Sequence, residues 1–141
     1  MNYFFLEPEV AGALGENTVL DASTHPPRVE KLHFEFSGWL GDAILESFPC
    51  VIATLSASEA LEQSGVTGIQ LAELEVSTSV GFRDMYPARE IPSFRWLKVQ
   101  GEAGRHDFGI AADLRVVVSE KALDVLRPFG IEHAVTEPFL Q

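Results

Sequence analysis

The chain has 141 residues, 46% of them hydrophobic and 22% charged, the proportions of one packed domain. Its net charge of −11, from 21 acidic and 10 basic residues, argues against nucleic acid or an anionic membrane as a direct partner, because both are held by Lys and Arg. No apolar run approaches the roughly 20 residues that cross a bilayer. The opening MNYFFLEPEV lacks the basic start of a signal peptide, and the lone Cys50 has no partner for an internal disulfide, so the expected setting is cytoplasmic.

NYFFL, Asn2 to Leu6, is an aromatic run stopped by Pro8 and reads as a first strand. AGALGENTVLDASTHPP is a long irregular connection with one short extended piece at TVL. In RVEKLHFEFSGW, Leu32, Phe34 and Phe36 alternate with Lys31, His33 and Glu35, which predicts a strand with one buried face. Gly38 and Gly41 then bracket Trp39 and Leu40, and a short helical turn is expected from Asp42 to Ser47, capped by Asp42. CVIATL reads as a buried strand. Ser56 and Glu59 have capping-box spacing, and the helix they open stops at Gly65.

GIQLAELEVS alternates through Ile69 and Leu71, then, after a slip of one residue, through Leu74 and Val76, as a bulge would. TSVGFRDMYPAREIPS reads as a loop holding one helical turn. FRWLKVQGE carries apolar residues on both faces, the mark of a central strand. A glycine-rich turn region, GEAGRHDFGIAADL, leads to the strand LRVVV. Ser119 caps the next helix, Glu120 suits its first turn, and Ala122, Leu123, Val125 and Leu126 form its apolar stripe up to Gly130. IEHAVTEPFL is the last strand, with Ile131, His133 and Val135 on one face.

The tally predicts a single α+β domain over residues 1–141. It would be a mainly antiparallel or mixed sheet of about six or seven strands with two principal helices packed on it. The stretches Cys50–Gly65 and Asp113–Gly130 share a strand–hydroxyl–helix–glycine order. Each fits a βαβ crossover or an αβ corner, and their likeness is too short to define a repeat. As an edge strand, NYFFL could pair between chains and make a homodimer.

Catalytic residue types are present but scattered. His106 and Asp107 could form an acid–base pair, yet neighbours on a strand point apart, and in a glycine-rich turn Asp107 would serve local backbone donors. His25, His33, His106 and His133 lack the short spacing of a zinc site, and Cys50 lacks a CxxC partner. Cys50 lies in an apolar run where a thiol stays protonated. There is no GxSxG, GxGxxG or GxxxxGK[ST] pattern. The expectation is a protein without catalytic activity, cofactor or metal. A small enzyme or ligand-sensing module using the His106/Asp107 region is the alternative.

GWLGD is an unusual investment. Trp39 between glycines either closes the core or stands as an aromatic anchor beside Asp42 and Glu46. Tyr86 and Glu90 lie in a second polar–aromatic loop with Arg83, Asp84 and Arg89. Trp39, Asp42, Glu46, Tyr86 and Glu90 are therefore the candidate partner-binding residues.

LRVVVSEKALDVLRPFGIEHAVTEP and FPCVIATLSASEALEQSGVTGIQLAELEV resemble a group of immunity proteins from bacterial polymorphic toxin systems, formerly a domain of unknown function. The resemblance rests on the VVSE…L…L…G ending and on GVTG after a helix, and it spans Leu32 to Phe139. It implies a small cytoplasmic α+β protein that binds and neutralises a cognate toxin. The motifs are caps and core positions, so Ser119 and Leu123 inherit structural roles only. An acidic inhibitor suits a basic toxin, because steering and rim complementarity both follow from charge.

Overall fold

The structure, a computed structural model, describes residues 2–140. In chain order its strands are β1 (Tyr3–Glu7), β2 (Gly12–Leu14), β3 (Val19–Asp21), β4 (Arg28–Lys31), β5 (His33–Phe36), β6 (Ile44–Ser47) and β7 (Cys50–Thr54). Then follow β8 (Ile69–Ala72), β9 (Glu75–Thr78), β10 (Phe94–Val99), β11 (Phe108–Ile110), β12 (Val116–Ser119) and β13 (Val135–Pro138). The helices are α1 (Leu55–Gln63), α2 (Val80–Met85) and α3 (Glu120–Leu126). The fold is α+β, and no helix among the described residues is long and apolar enough to cross a membrane.

The same unit is built twice. β7 and β12 are β-branched, buried strands whose last residues, Thr54 and Ser119, cap the helices that follow at once. Each hydroxyl accepts the N–H three residues on, from Ala57 and Ala122, and so satisfies an orphan donor of the first turn. The sheet orders are β6-β7-β10-β8 and β11-β12-β1-β13, all antiparallel. β7 and β8 are therefore parallel with β10 between them, and β12 and β13 are parallel with β1 between them. Both strand–helix–strand stretches are thus split crossovers.

The registers agree as well. Phe94 stands opposite the cap Thr54, and Tyr3 stands opposite the cap Ser119. The first helical N–H groups, of Leu55 and Glu120, donate to Ser93 and Asn2, the residues just before the middle strands. The likeness in the sequence is short because these shared contacts are made by backbone, which constrains side chains little.

α1 and α3 pack on one another over an aliphatic cluster drawn from both sheets, including Leu6, Ala53, Leu61, Val116, Val118 and Leu123. A second cluster is aromatic. Phe34, Phe36, Phe82, Phe94 and Trp96 are buried in it, on the three-stranded sheet β2-β5-β9, α2 and the facing side of β10. A β3–β4 hairpin completes the chain.

Several expectations change. The described residues form thirteen strands rather than about six or seven: the connection from Ala11 to Pro27 holds β2 and β3, RVEKLHFEFSGW divides into β4 and β5 in different sheets, GIQLAELEVS divides into β8 and β9, and β6 and β11 are added. α1 and α3 are the two principal helices, and α2 is the expected helical turn. The slip in GIQLAELEVS is a change of sheet, not a bulge: β8 pairs β10, while β9 pairs β5 in parallel. Asp42 to Ser47 is extended, not helical, since Ile44 to Ser47 pair with β7. The cap of α1 is Thr54, not Ser56, because β7 enters the helix without a loop. β1 has neighbours on both sides, so NYFFL offers no free edge for a homodimer. The last strand is only Val135–Pro138, with Ile131 to His133 in a turn before it.

Candidate functional site

Trp39 follows β5 in a loop, half-buried, with its ring edge-on to Phe36 at 6.4 Å and to Phe94 at 5.9 Å. It both closes the aromatic cluster and reaches its surface. Tyr86, just past α2, packs on Phe82 at 5.2 Å. Arg89 joins the two rings, with its guanidinium 4.8 Å from the Trp39 ring and 5.5 Å from the Tyr86 ring, and it donates to the Trp39 carbonyl at 2.7 Å. Exposed Asp84 and Glu90 belong to the same segment. Trp39 and Tyr86 are thus brought to one surface by an arginine that orients two aromatic faces, and Glu90 is exposed one residue past it.

Asp42 does not join it. It is 2% exposed, and its carboxylate accepts the His133 N–H at 2.8 Å and the His133 Nδ1 proton at 2.9 Å. Only its backbone serves Trp39, whose Nε1 donates to the Asp42 carbonyl at 3.0 Å. Asp42 is therefore corrected from a surface acid to a buried clasp. Its hydrogen bond and charge hold the His133 pKa above the ordinary imidazole value. Glu9, 7% exposed, lies beside it, and its carboxylate accepts the N–H groups of Leu40 at 2.7 Å and Asp42 at 3.3 Å. Oxygen or nitrogen atoms of Glu9, Asp42 and His133 lie within 4.8 Å of one another. No local pattern announces this grouping, since Glu9 and His133 lie 33 and 91 residues from Asp42.

Glu46 is elsewhere, on β6. Burial, with the Glu7 carboxylate near it, raises its pKa. It lines a groove of about 660 Å³ with half-exposed Phe48, Pro49, Cys50, Trp96 and Lys98. Neither Trp39 nor Tyr86 lines that groove. Burial pushes the Cys50 thiol up to about 12, so it offers no thiolate at neutral pH.

His106 and Asp107 do not meet in any hydrogen bond or ion pair among the described residues. His106 Nδ1 accepts the Glu102 N–H at 2.8 Å. Asp107 accepts from Thr67 N and Oγ1 and from Ser119 Oγ at 2.7 Å. Burial works to raise the Asp107 pKa, but these donors, with Lys121, outweigh it and hold the carboxyl below its usual value. His33 is fixed too: Nδ1 accepts the Asn17 N–H, so the ring proton sits on Nε2 and faces Ser77 Oγ at 2.7 Å.

No family model, curated protein or solved structure matches this chain.

Proposed function

We propose that this chain is a non-enzymatic immunity protein that binds and neutralises a basic toxin. The observation that carries the reading is the Trp39–Arg89–Tyr86 surface, flanked by Asp84 and Glu90 on a chain of net charge −11. Half-buried Trp and Tyr held by Arg are the residue types that dominate binding energy at interfaces, and they carry little entropy cost when already packed. The surrounding carboxylates would steer a cationic partner and set its orientation. Support also comes from the groups that chemistry would draft. Asp107 and His33 are held by hydrogen bonds, His106 Nδ1 accepts the Glu102 N–H, and Cys50 is buried.

The test uses the purified chain and the basic toxin encoded beside its gene. Inhibition of the toxin at one-to-one ratio is expected, with an association rate that falls steeply as salt is raised. Full toxin activity in the presence of excess chain contradicts the proposal.

The groove beside Glu46 favours a second reading, a ligand-sensing module. Its volume of about 660 Å³ falls in the range of small-molecule sites, roughly 300–1,000 Å³. Trp96 lines it, so a saturable change in tryptophan fluorescence that survives Trp39→Phe would support that reading. A flat response to a library of amphipathic small molecules would count against it.

A further inference from the structure

The two units clasp one another crosswise, and the two clasps are not alike. The carboxylate of Asp107, just before β11, accepts Thr67 N–H from the turn after α1. The carboxylate of Asp42, just before β6, accepts His133 N–H from the turn after α3. The middle strands take part in the same way: the segment after β1 bridges to Leu45 at Glu9, and the segment after β10 bridges to Ile110 at Glu102. One clasp therefore shows what the architecture requires by itself. Around Asp107 that is neutral N–H and O–H donors, with Glu102 turned outward to Arg105.

The other clasp adds two titratable side chains, Glu9 and His133, to the same plan. Glu9, the counterpart of Glu102, is turned inward and buried at 7% exposure, beside Asp42 at 2%. Neither carboxylate has a Lys or Arg ion pair among the described residues, and His133 is the one side chain that faces them with a charge. The three side chains bring two carboxylate groups and one imidazole nitrogen together, their ligand atoms within 4.8 Å of one another and both carboxylates buried. His133 Nδ1 and Asp42 Oδ1 stand 2.9 Å apart. Ligand atoms at about 2.0–2.2 Å from a tetrahedral ion stand roughly 3.3–3.6 Å apart, so opening this hydrogen bond by less than about 1 Å makes room for one. The His133 side chain is 41% exposed, which leaves a path from solvent.

We propose that Glu9, Asp42 and His133 bind a divalent transition-metal ion, with Zn2+ as its representative. One imidazole nitrogen with two carboxylate oxygens is a donor set of borderline hardness, which favours such ions over Mg2+ or Ca2+. The ion takes the place of the hydrogen bond between His133 Nδ1 and Asp42 Oδ1, and pins the turn after α3 to the start of β6. The site stands apart from the proposed toxin surface, and its test does not involve a partner.

The experiment titrates Zn2+ into the chelator-stripped full chain, followed by calorimetry and by tryptophan fluorescence, since Trp39 Nε1 donates to the Asp42 carbonyl. One saturable Zn2+ per chain is expected, with a raised Tm and much weaker binding of Mg2+. Glu9→Gln and His133→Gln should each weaken binding by at least about tenfold, while Asp107→Asn leaves it unchanged. Absence of saturable binding, or unchanged affinity in His133→Gln, overturns the site. If Glu9→Gln fails to fold by circular dichroism, His133→Gln decides alone, because its side chain is partly exposed and its backbone N–H still reaches Asp42.

Discussion

Asp107 and Asp42 are both buried aspartates at the mouth of a hairpin, and each seizes the turn that follows the other unit's helix. Asp107 is surrounded by Thr67 and Ser119, whose donors are neutral and fixed in place. Asp42 lies beside buried Glu9 and is held by His133, whose imidazole it keeps above its ordinary pKa. The two share their bridging contacts, and the extra carboxylate at the second, Glu9, also holds the N–H groups of Leu40 and Asp42. The difference teaches that the same turn can be fastened by neutral donors at one end and by a carboxylate–imidazole pair beside a second buried carboxylate at the other. The Trp39 anchor belongs to the second end, tied through its indole to the Asp42 carbonyl.

The largest expected effect breaks the fastener. Asp107→Ala leaves Thr67 and Ser119 without their charged acceptor in a buried place, and should cost about 3 kcal/mol in urea unfolding. A loss under about 1 kcal/mol would mean that water replaces the carboxylate and that the clasp is dispensable. Next comes Trp39→Ala, which should weaken toxin binding by about 2 kcal/mol or more while the chain stays folded. Normal affinity would separate the anchor from the interface.

A subtler change sharpens the comparison through pH. The carboxyl of Asp107 is held below its unfolded value. Its contribution is therefore present above the unfolded pKa, near pH 4, and fades as pH falls through the lower, folded pKa. Asp107→Asn should be less stable at pH 6, and the gap to wild type should close towards pH 2. A gap of constant size would show that the carboxylate's charge plays no part. Smallest of all should be the effect of Glu90→Lys on stability, within about 0.5 kcal/mol, because Glu90 is exposed. The same change should slow toxin association at low salt, and an unaltered rate would remove Glu90 from the interface.

The local chemistry of the sequence carried part of this. Ser119 as a cap, Gly65 at positive φ past α1, β10 as a central strand and the buried face of Leu32, Phe34 and Phe36 follow from hydroxyls, glycine and alternation, all of which act within a few residues. Strand count did not, because pieces as short as Gly12–Leu14 pair only when Phe34 and Phe36 arrive from a distance. GWLGD was legible as a special site but not as a divided one. Nothing local says that Trp39 packs on Phe36 and Phe94 at the surface of the aromatic cluster while Asp42 turns in to meet His133, 91 residues on. The doubled unit was hidden for a related reason. Its second middle strand is β1, from the opposite end of the chain, so the two copies never read in the same order.

The most direct measurement compares wild type with the Trp39→Ala/Tyr86→Ala double variant as tagged baits in the native host, at low and at high salt, read by mass spectrometry. The account expects wild type to hold one basic protein at one-to-one stoichiometry and to release it at high salt. The double variant, folded and with an unchanged acidic surface, should fail to hold it. Equal capture by both baits, or capture of no basic protein by wild type, would contradict the claim that this surface exists to bind a toxin.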